Sequence, residues 1–129
     1  MAQNLLVIIS APSGTGKSTL CEKLCDLFSG MKYSISWTTR LPRHGEIHGH
    51  DYFFVSEKKF QEKLKRNGFL EWASVHGYYY GTPRDFVEKN LAKDKDILLN
   101  IDVQGAMKIR EIYPEAVLIF LIPPTFAEL

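Results

Sequence analysis

An α/β architecture, with a parallel-sheet core interrupted by a smaller mixed α+β lobe, is predicted by three observations in this 129-residue chain. Short, nearly continuous apolar runs occur at 5–9, 97–102 and 117–122, the texture of strands buried on both faces of a parallel sheet. Helical spacing of apolar residues follows the first run and separates the last two, as crossover helices require. A different texture fills about 34–85, where short alternating strands are broken by charged, glycine-containing loops. The expected division is therefore 1–33 core, 34–85 inserted lobe and 86–127 core, with 128–129 starting something further.

The first run, Leu5–Ile9, leads into Ser10-Ala11-Pro12-Ser13-Gly14-Thr15-Gly16-Lys17-Ser18-Thr19. Glycines at 14 and 16 let the backbone turn its N–H groups inward around phosphate. Lys17 brings charge to the β- and γ-phosphates, and the Ser18 hydroxyl suits a magnesium ion. The pattern G-x-x-x-x-G-K-S/T is met except at its first position, which is Ala11. The core is thus read as a P-loop NTPase-type sheet that binds a nucleoside triphosphate.

Lys17 to about Phe28 reads as a helix carrying Leu20, Cys21, Leu24 and Leu27 at helical spacing, and its N-terminus adds a partial positive charge at the loop. Tyr33–Trp37 alternates as one half-exposed strand. Tyr52–Val55 is a short strand, Ser56 caps a helix to about Asn67, and Phe69–Ala73 and Tyr78–Gly81 form an antiparallel pair. Thr82-Pro83-Arg84-Asp85 reads as a helix start with Thr82 at the N-cap and Pro83 at the first helical position. Val103–Tyr113 is the second crossover helix. Thr125 and Glu128 read as the cap of a new helix, so the chain is expected to be the N-terminal portion of a longer protein.

A formal net charge of +1 gives no general polyanion-binding surface, so no nucleic-acid partner is expected. The apolar runs are too short to span a bilayer, and no membrane partner is expected. Cys21 and Cys25, four apart on one helix, read as buried thiols in a reducing cytoplasm. His44, His48, His50 and His76 match no zinc spacing and read as solvated.

Within the lobe, Arg40 and Arg43 are placed to converge on one dianion, work for which paired guanidinium groups are suited. Glu71 lies among apolar neighbours in Phe-Leu-Glu-Trp-Ala. A carboxylate accepts two N–H bonds side by side, which guanine offers and adenine does not, although a solvent-facing acid is the plainer reading of the residue alone.

The loop, 36–46 (Ser-Trp-Thr-Thr-Arg-Leu-Pro-Arg-His-Gly-Glu), Asp51-Tyr52-Phe53-Phe54, Phe69–Ala73, Tyr79-Tyr80-Gly81-Thr82 and Asn100-Ile101-Asp102-Val103-Gln104-Gly105 together resemble guanylate kinase, in that order and spacing. The resemblance implies cytoplasmic, Mg²⁺-dependent phosphoryl transfer from ATP to GMP or dGMP, giving ADP and the nucleoside diphosphate. It implies ATP phosphates on Ser13, Gly14, Thr15, Gly16, Lys17, Ser18 and Thr19, with Ser18 on the metal. It places the GMP phosphate on Arg40, Arg43, Tyr52 and Tyr80 and the guanine on Ser36, Glu71 and Thr82. Asp102 is implied at the guanine or the Mg²⁺ water shell. Lys17, Arg40, Arg43 and Asp102 form the implied catalytic set.

Asn100 departs from that pattern, which commonly has an acid there. The family's lid begins about where this chain ends, so weak turnover is expected of these residues alone. An alternative on the same fold is a phosphopeptide-binding interaction module, against which the retained Gly16-Lys17-Ser18 argues. A kinase for another nucleoside monophosphate is disfavoured by Glu71 with Ser36.

Overall fold

The computed structural model describes residues 4–10 and 17–121, the main chain alone for 17 and 18. In chain order the elements are β1 (Leu6–Ser10), α1 (Lys17–Leu27), β2 (Met31–Tyr33), β3 (Trp37–Thr38), β4 (Phe53–Phe54), α2 (Glu57–Lys65), β5 (Phe69–Val75), β6 (Tyr78–Pro83), α3 (Arg84–Ala92), β7 (Asp96–Asn100), α4 (Val103–Ile112) and β8 (Val117–Phe120). They divide into two compact units, Met1–Tyr33 with Asn90–Leu129, and Ser34–Lys89. The cut at 89 and the sequence boundary at 85 both fall on α3.

The first unit holds a parallel sheet in the order β2-β7-β1-β8. Leu6–Ile9 and Ile97–Leu99 are all buried, as two-sided burial of central strands requires. Leu20 and Leu24 of α1 pack on Val7, Ile9 and Leu98, with Cys21 buried among them. Neither cysteine is in a disulfide, and burial raises the Cys25 thiol pKa. On α4, Ala106 and Ile109 are buried. In the third apolar run Val117, Ile119 and Phe120 of β8 are exposed, and among the described residues β8 pairs with β1 alone.

The second unit holds a mixed sheet in the order β4-β3-β6-β5, with β3 parallel to β4 and antiparallel to β6. Phe60 of α2 and Phe69 of β5 stack with centroids 4.4 Å apart, and Tyr79 lies 5.4 Å from Phe60. Lys63 is buried, its ammonium 4.7 Å from the Trp37 ring and 3.3 Å from the Asp85 carboxylate. Ser56 caps α2 by accepting from the Lys59 N–H. Two local expectations change here. The alternating stretch Tyr33–Trp37 is not one strand, since Tyr33 ends β2 in one sheet and Trp37 begins β3 in the other. Thr82 and Pro83 finish β6 instead of starting α3, because the Thr82 hydroxyl is used across the strand pair.

Candidate functional site

Arg40 leaves the end of β3 and is held on every side by its own unit. Glu46 grips it with both oxygens, Oε1 to Nη1 at 2.6 Å and Oε2 to Nη2 at 2.9 Å. Nη1 also donates to the Leu41 carbonyl at 3.1 Å, and Nε donates to the Tyr80 hydroxyl at 3.1 Å. The guanidinium lies 5.1 Å from the Tyr52 ring and 5.8 Å from the Phe54 ring, within cation-π range. Glu46 is brought back by a turn in which Gly45 takes φ +85°, a conformation that glycine adopts without strain, and the Glu46 N–H donates to the Arg43 carbonyl. Its Oε1 then accepts from the Arg43 N–H at 2.7 Å.

These contacts set the local electrostatics. The hydrogen-bonded Arg40 holds the Glu46 carboxyl down at about 2, against the opposing effect of burial and with help from the Arg43 N–H. Glu46 in turn raises the Arg40 pKa. Burial raises the Tyr52 phenol. The Arg40 N–H groups are directed to Glu46, the Leu41 carbonyl and the Tyr80 hydroxyl, and the guanidinium also interacts with the Tyr52 hydroxyl. The Tyr80 hydroxyl accepts from Nε and keeps its own proton to donate. Arg43 is exposed, and its guanidinium makes no ion pair among the described residues.

Glu71 occupies a second polar position in the same unit. It is 9% exposed, so the solvent-facing reading of this residue is excluded, and its Oε2 accepts from the fully buried Thr82 hydroxyl at 2.8 Å. Glu71 and Thr82 are cross-strand partners on β5 and β6. Ser36 is half-buried just before β3, its carbonyl accepting from the Phe53 N–H.

In the first unit, Ser13–Gly16, Thr125 and Glu128 lie outside the described residues, as do the Lys17 and Ser18 side chains; Thr19 is exposed on the first turn of α1. Asp102 is the N-cap of α4, its Oδ1 accepting from the Gly105 N–H at 2.7 Å, a structural task beyond the role implied for it. Among the described residues the buried Asn100 Oδ1 has no hydrogen-bond partner. Among the described residues no cluster of three or more His, Cys, Asp or Glu could hold a metal, and no helix is long and apolar enough to cross a membrane. His48 does more than face solvent, because its Nδ1 accepts from the Phe54 N–H. Sequence reasoning gave no role to Glu46, Thr38 or Thr39. An acid three residues beyond Arg43 and just after a glycine was the available signal for Glu46.

A parallel sheet whose first strand is followed in the sequence by Gly-Lys-Ser, interrupted by a second unit with a mixed sheet, defines an α/β protein of the P-loop type with an inserted lobe. The sequence profile described as guanylate kinase matches residues 3–129, and the chain belongs to the guanylate kinase family. It is 51% identical over 127 residues to a guanylate kinase of Caldanaerobacter subterraneus subsp. tengcongensis, covering 98% of this chain and 62% of that one. It is 49% identical over 129 residues to a guanylate kinase of Clostridium tetani, covering 100% and 62%. The solved guanylate kinase of Anaplasma phagocytophilum superposes with a TM-score of 0.85 at 37% identity, over 98% of this chain and 64% of that one. The chain therefore spans about 62% of the length of these curated relatives.

Proposed function

We propose that the protein containing this chain is an ATP:GMP phosphotransferase acting in the cytoplasm, with dGMP as a second acceptor. The observation that carries this reading is the burial of Glu71 against Thr82, in the unit that also carries Arg40, Arg43 and Tyr80. A carboxylate fixed at that position can accept two N–H bonds side by side, and guanine carries such a pair of donors at N1 and the 2-amino group, which adenine does not. Ser36 and Thr82 complete the proposed base contacts. Arg40, Arg43, Tyr52 and Tyr80 take the acceptor phosphate, whose own oxygen is the nucleophile.

On the donor side, Ser13 to Thr19 take the ATP phosphates, with Lys17 neutralising charge as the phosphoryl group moves. The oxygen donors proposed for magnesium are the Ser18 hydroxyl and, through water, Asp102 and the Asn100 amide. The Asn100 Oδ1, without a hydrogen-bond partner among the described residues, suits such a hydrated hard cation but adds no negative charge, which leaves charge balance to the phosphates. Bound with the triphosphate, the ion would offset its charge. The protein's own contribution is to orient two nucleotides and exclude water.

The test is equilibrium binding to this chain of GMP, dGMP, AMP, CMP and UMP, with ADP formation from ATP measured for the same acceptors on the full-length protein. Selective binding of GMP and dGMP supports the reading. Equal affinity for AMP and GMP overturns it. Lys17→Ala is expected to abolish ADP formation while GMP binding persists.

A further inference from the structure

The main chain turns out of the lobe sheet immediately before Arg40, and two threonine hydroxyls carry that turn. Regular pairing between β3 and β6 ends with Thr38 opposite Tyr80. At the next position the Thr39 N–H still donates to the Tyr79 carbonyl at 3.1 Å, but the Tyr79 N–H donates to the Thr39 hydroxyl at 2.9 Å and not to a main-chain carbonyl. A side chain has taken the place of the main-chain acceptor, so the strand can end there without orphaning a donor.

The Thr38 hydroxyl works from the other side. It donates to the same Tyr79 carbonyl at 3.0 Å and accepts from the Arg40 N–H, two residues on, at 3.3 Å. This is the hydroxyl-closed turn that Ser and Thr form with the second following residue. Thr38 is fully buried, and its carbonyl accepts from the Val55 N–H beyond β4, so it is fixed to both neighbouring strands. The product of the turn is that Arg40 Nε comes to the Tyr80 hydroxyl at 3.1 Å.

We propose that Thr38 and Thr39 are positioning residues of the anion site, a hydroxyl clamp on Tyr79 that sets where the Arg40 guanidinium and the Tyr80 hydroxyl stand relative to each other. This rests on the reading of that site as the acceptor-phosphate site. The clamp touches no ligand. It acts through the main chain on two groups that do, and a shift of one ångström in either would misalign donors meant for one phosphate.

The experiment compares GMP with guanosine, which lacks the phosphate, by NMR titration of wild type, Thr38→Val, Thr38→Ser, Thr39→Val and Thr39→Ser. Valine keeps the shape and removes the hydroxyl; serine keeps the hydroxyl. The preference for GMP over guanosine is expected to fall about tenfold in each valine variant and to return in each serine variant, with guanosine affinity unchanged. An unchanged preference in the valine variants overturns the proposal, as does a loss shared equally by guanosine and not rescued by serine. Should Thr38→Val fail to fold, the less buried Thr39 pair carries the same comparison. If wild type itself binds GMP no better than guanosine, the acceptor reading fails at its base, an outcome distinct from loss in the variants alone.

Discussion

Glu46 and Arg40 form a two-pronged ion pair at 2.6 and 2.9 Å, with side chains only 20% and 8% exposed. In the acceptor-phosphate site proposed above, a carboxylate on the principal arginine looks contrary to purpose. Its effect is to fix the guanidinium plane, so that the guanidinium and the Tyr80 hydroxyl keep defined directions. Glu46→Gln turns an amide NH₂ toward guanidinium donors and loses a charged hydrogen bond of about 1.5–3 kcal/mol. GMP affinity is expected to fall about tenfold while guanosine affinity holds, read by titration calorimetry. Tighter GMP binding in the variant would mean that Glu46 competes with the ligand instead of orienting Arg40.

The same pair makes stability depend on acidity. The Glu46 carboxyl sits at about 2 in the folded protein against its ordinary 4.5. Its folded value is depressed, so its contribution is complete above 4.5 and is lost as pH falls toward 2. The limit of that contribution is about 3 kcal/mol. Urea unfolding of wild type and Glu46→Gln is expected to give a stability difference that shrinks steadily between pH 4.5 and 2. A difference constant over that window would remove the ion pair as its source.

Glu71 and Thr82 make a separable prediction. Glu71→Gln replaces one acceptor with a donor facing the donor edge of guanine, and GMP binding is expected to weaken by about tenfold or more with AMP unaffected. Thr82→Val removes the hydroxyl that serves a carboxylate only 9% exposed, at a stability cost of about 1–3 kcal/mol. Parallel loss of GMP and AMP binding in Glu71→Gln would show that the residue supports the lobe without reading the base.

What was legible in the sequence follows from the range of the forces involved. The runs at 5–9 and 97–102 declared buried strands because burial on both faces leaves no polar alternation, and Ser56 declared a cap because its partner is three residues away. Thr82 carried an equally good local cap signal and was misread. Its hydroxyl goes to Glu71, a cross-strand partner, and no local pattern ranks that contact against a cap. Tyr33–Trp37 shows correct alternation, but alternation does not say that the chain changes sheets within it. Val117–Phe120 shows the same continuous apolar texture, and the pattern alone does not say what covers its faces, which are exposed at Val117, Ile119 and Phe120 among the described residues. The spacing of Arg40 and Arg43 reads as an anion pair, whereas the Glu46 grip on Arg40 depends on the turn made by Gly45, which no spacing announces.

Gly81 supplies the last prediction, because the packing around it is fixed from three sides. It pairs with Trp37 on β3 and with Trp72 on β5, so its main chain has no freedom to retreat. A Cβ at this position would stand 2.7 Å from the Phe69 Cδ1. The Phe69 ring cannot move away easily, being stacked on Phe60 at 4.4 Å and set edge-on to Trp37 at 5.6 Å. Gly81→Ala is therefore expected to destabilise the lobe by about 1–3 kcal/mol, the usual penalty of overpacking. Thermal unfolding measures it, and Phe69→Leu supplies the control: in the Gly81→Ala background the smaller side chain is expected to cost less than in wild type, since it removes the clash. Equal costs in the two backgrounds would show that the Phe69 ring is not what excludes a side chain at 81.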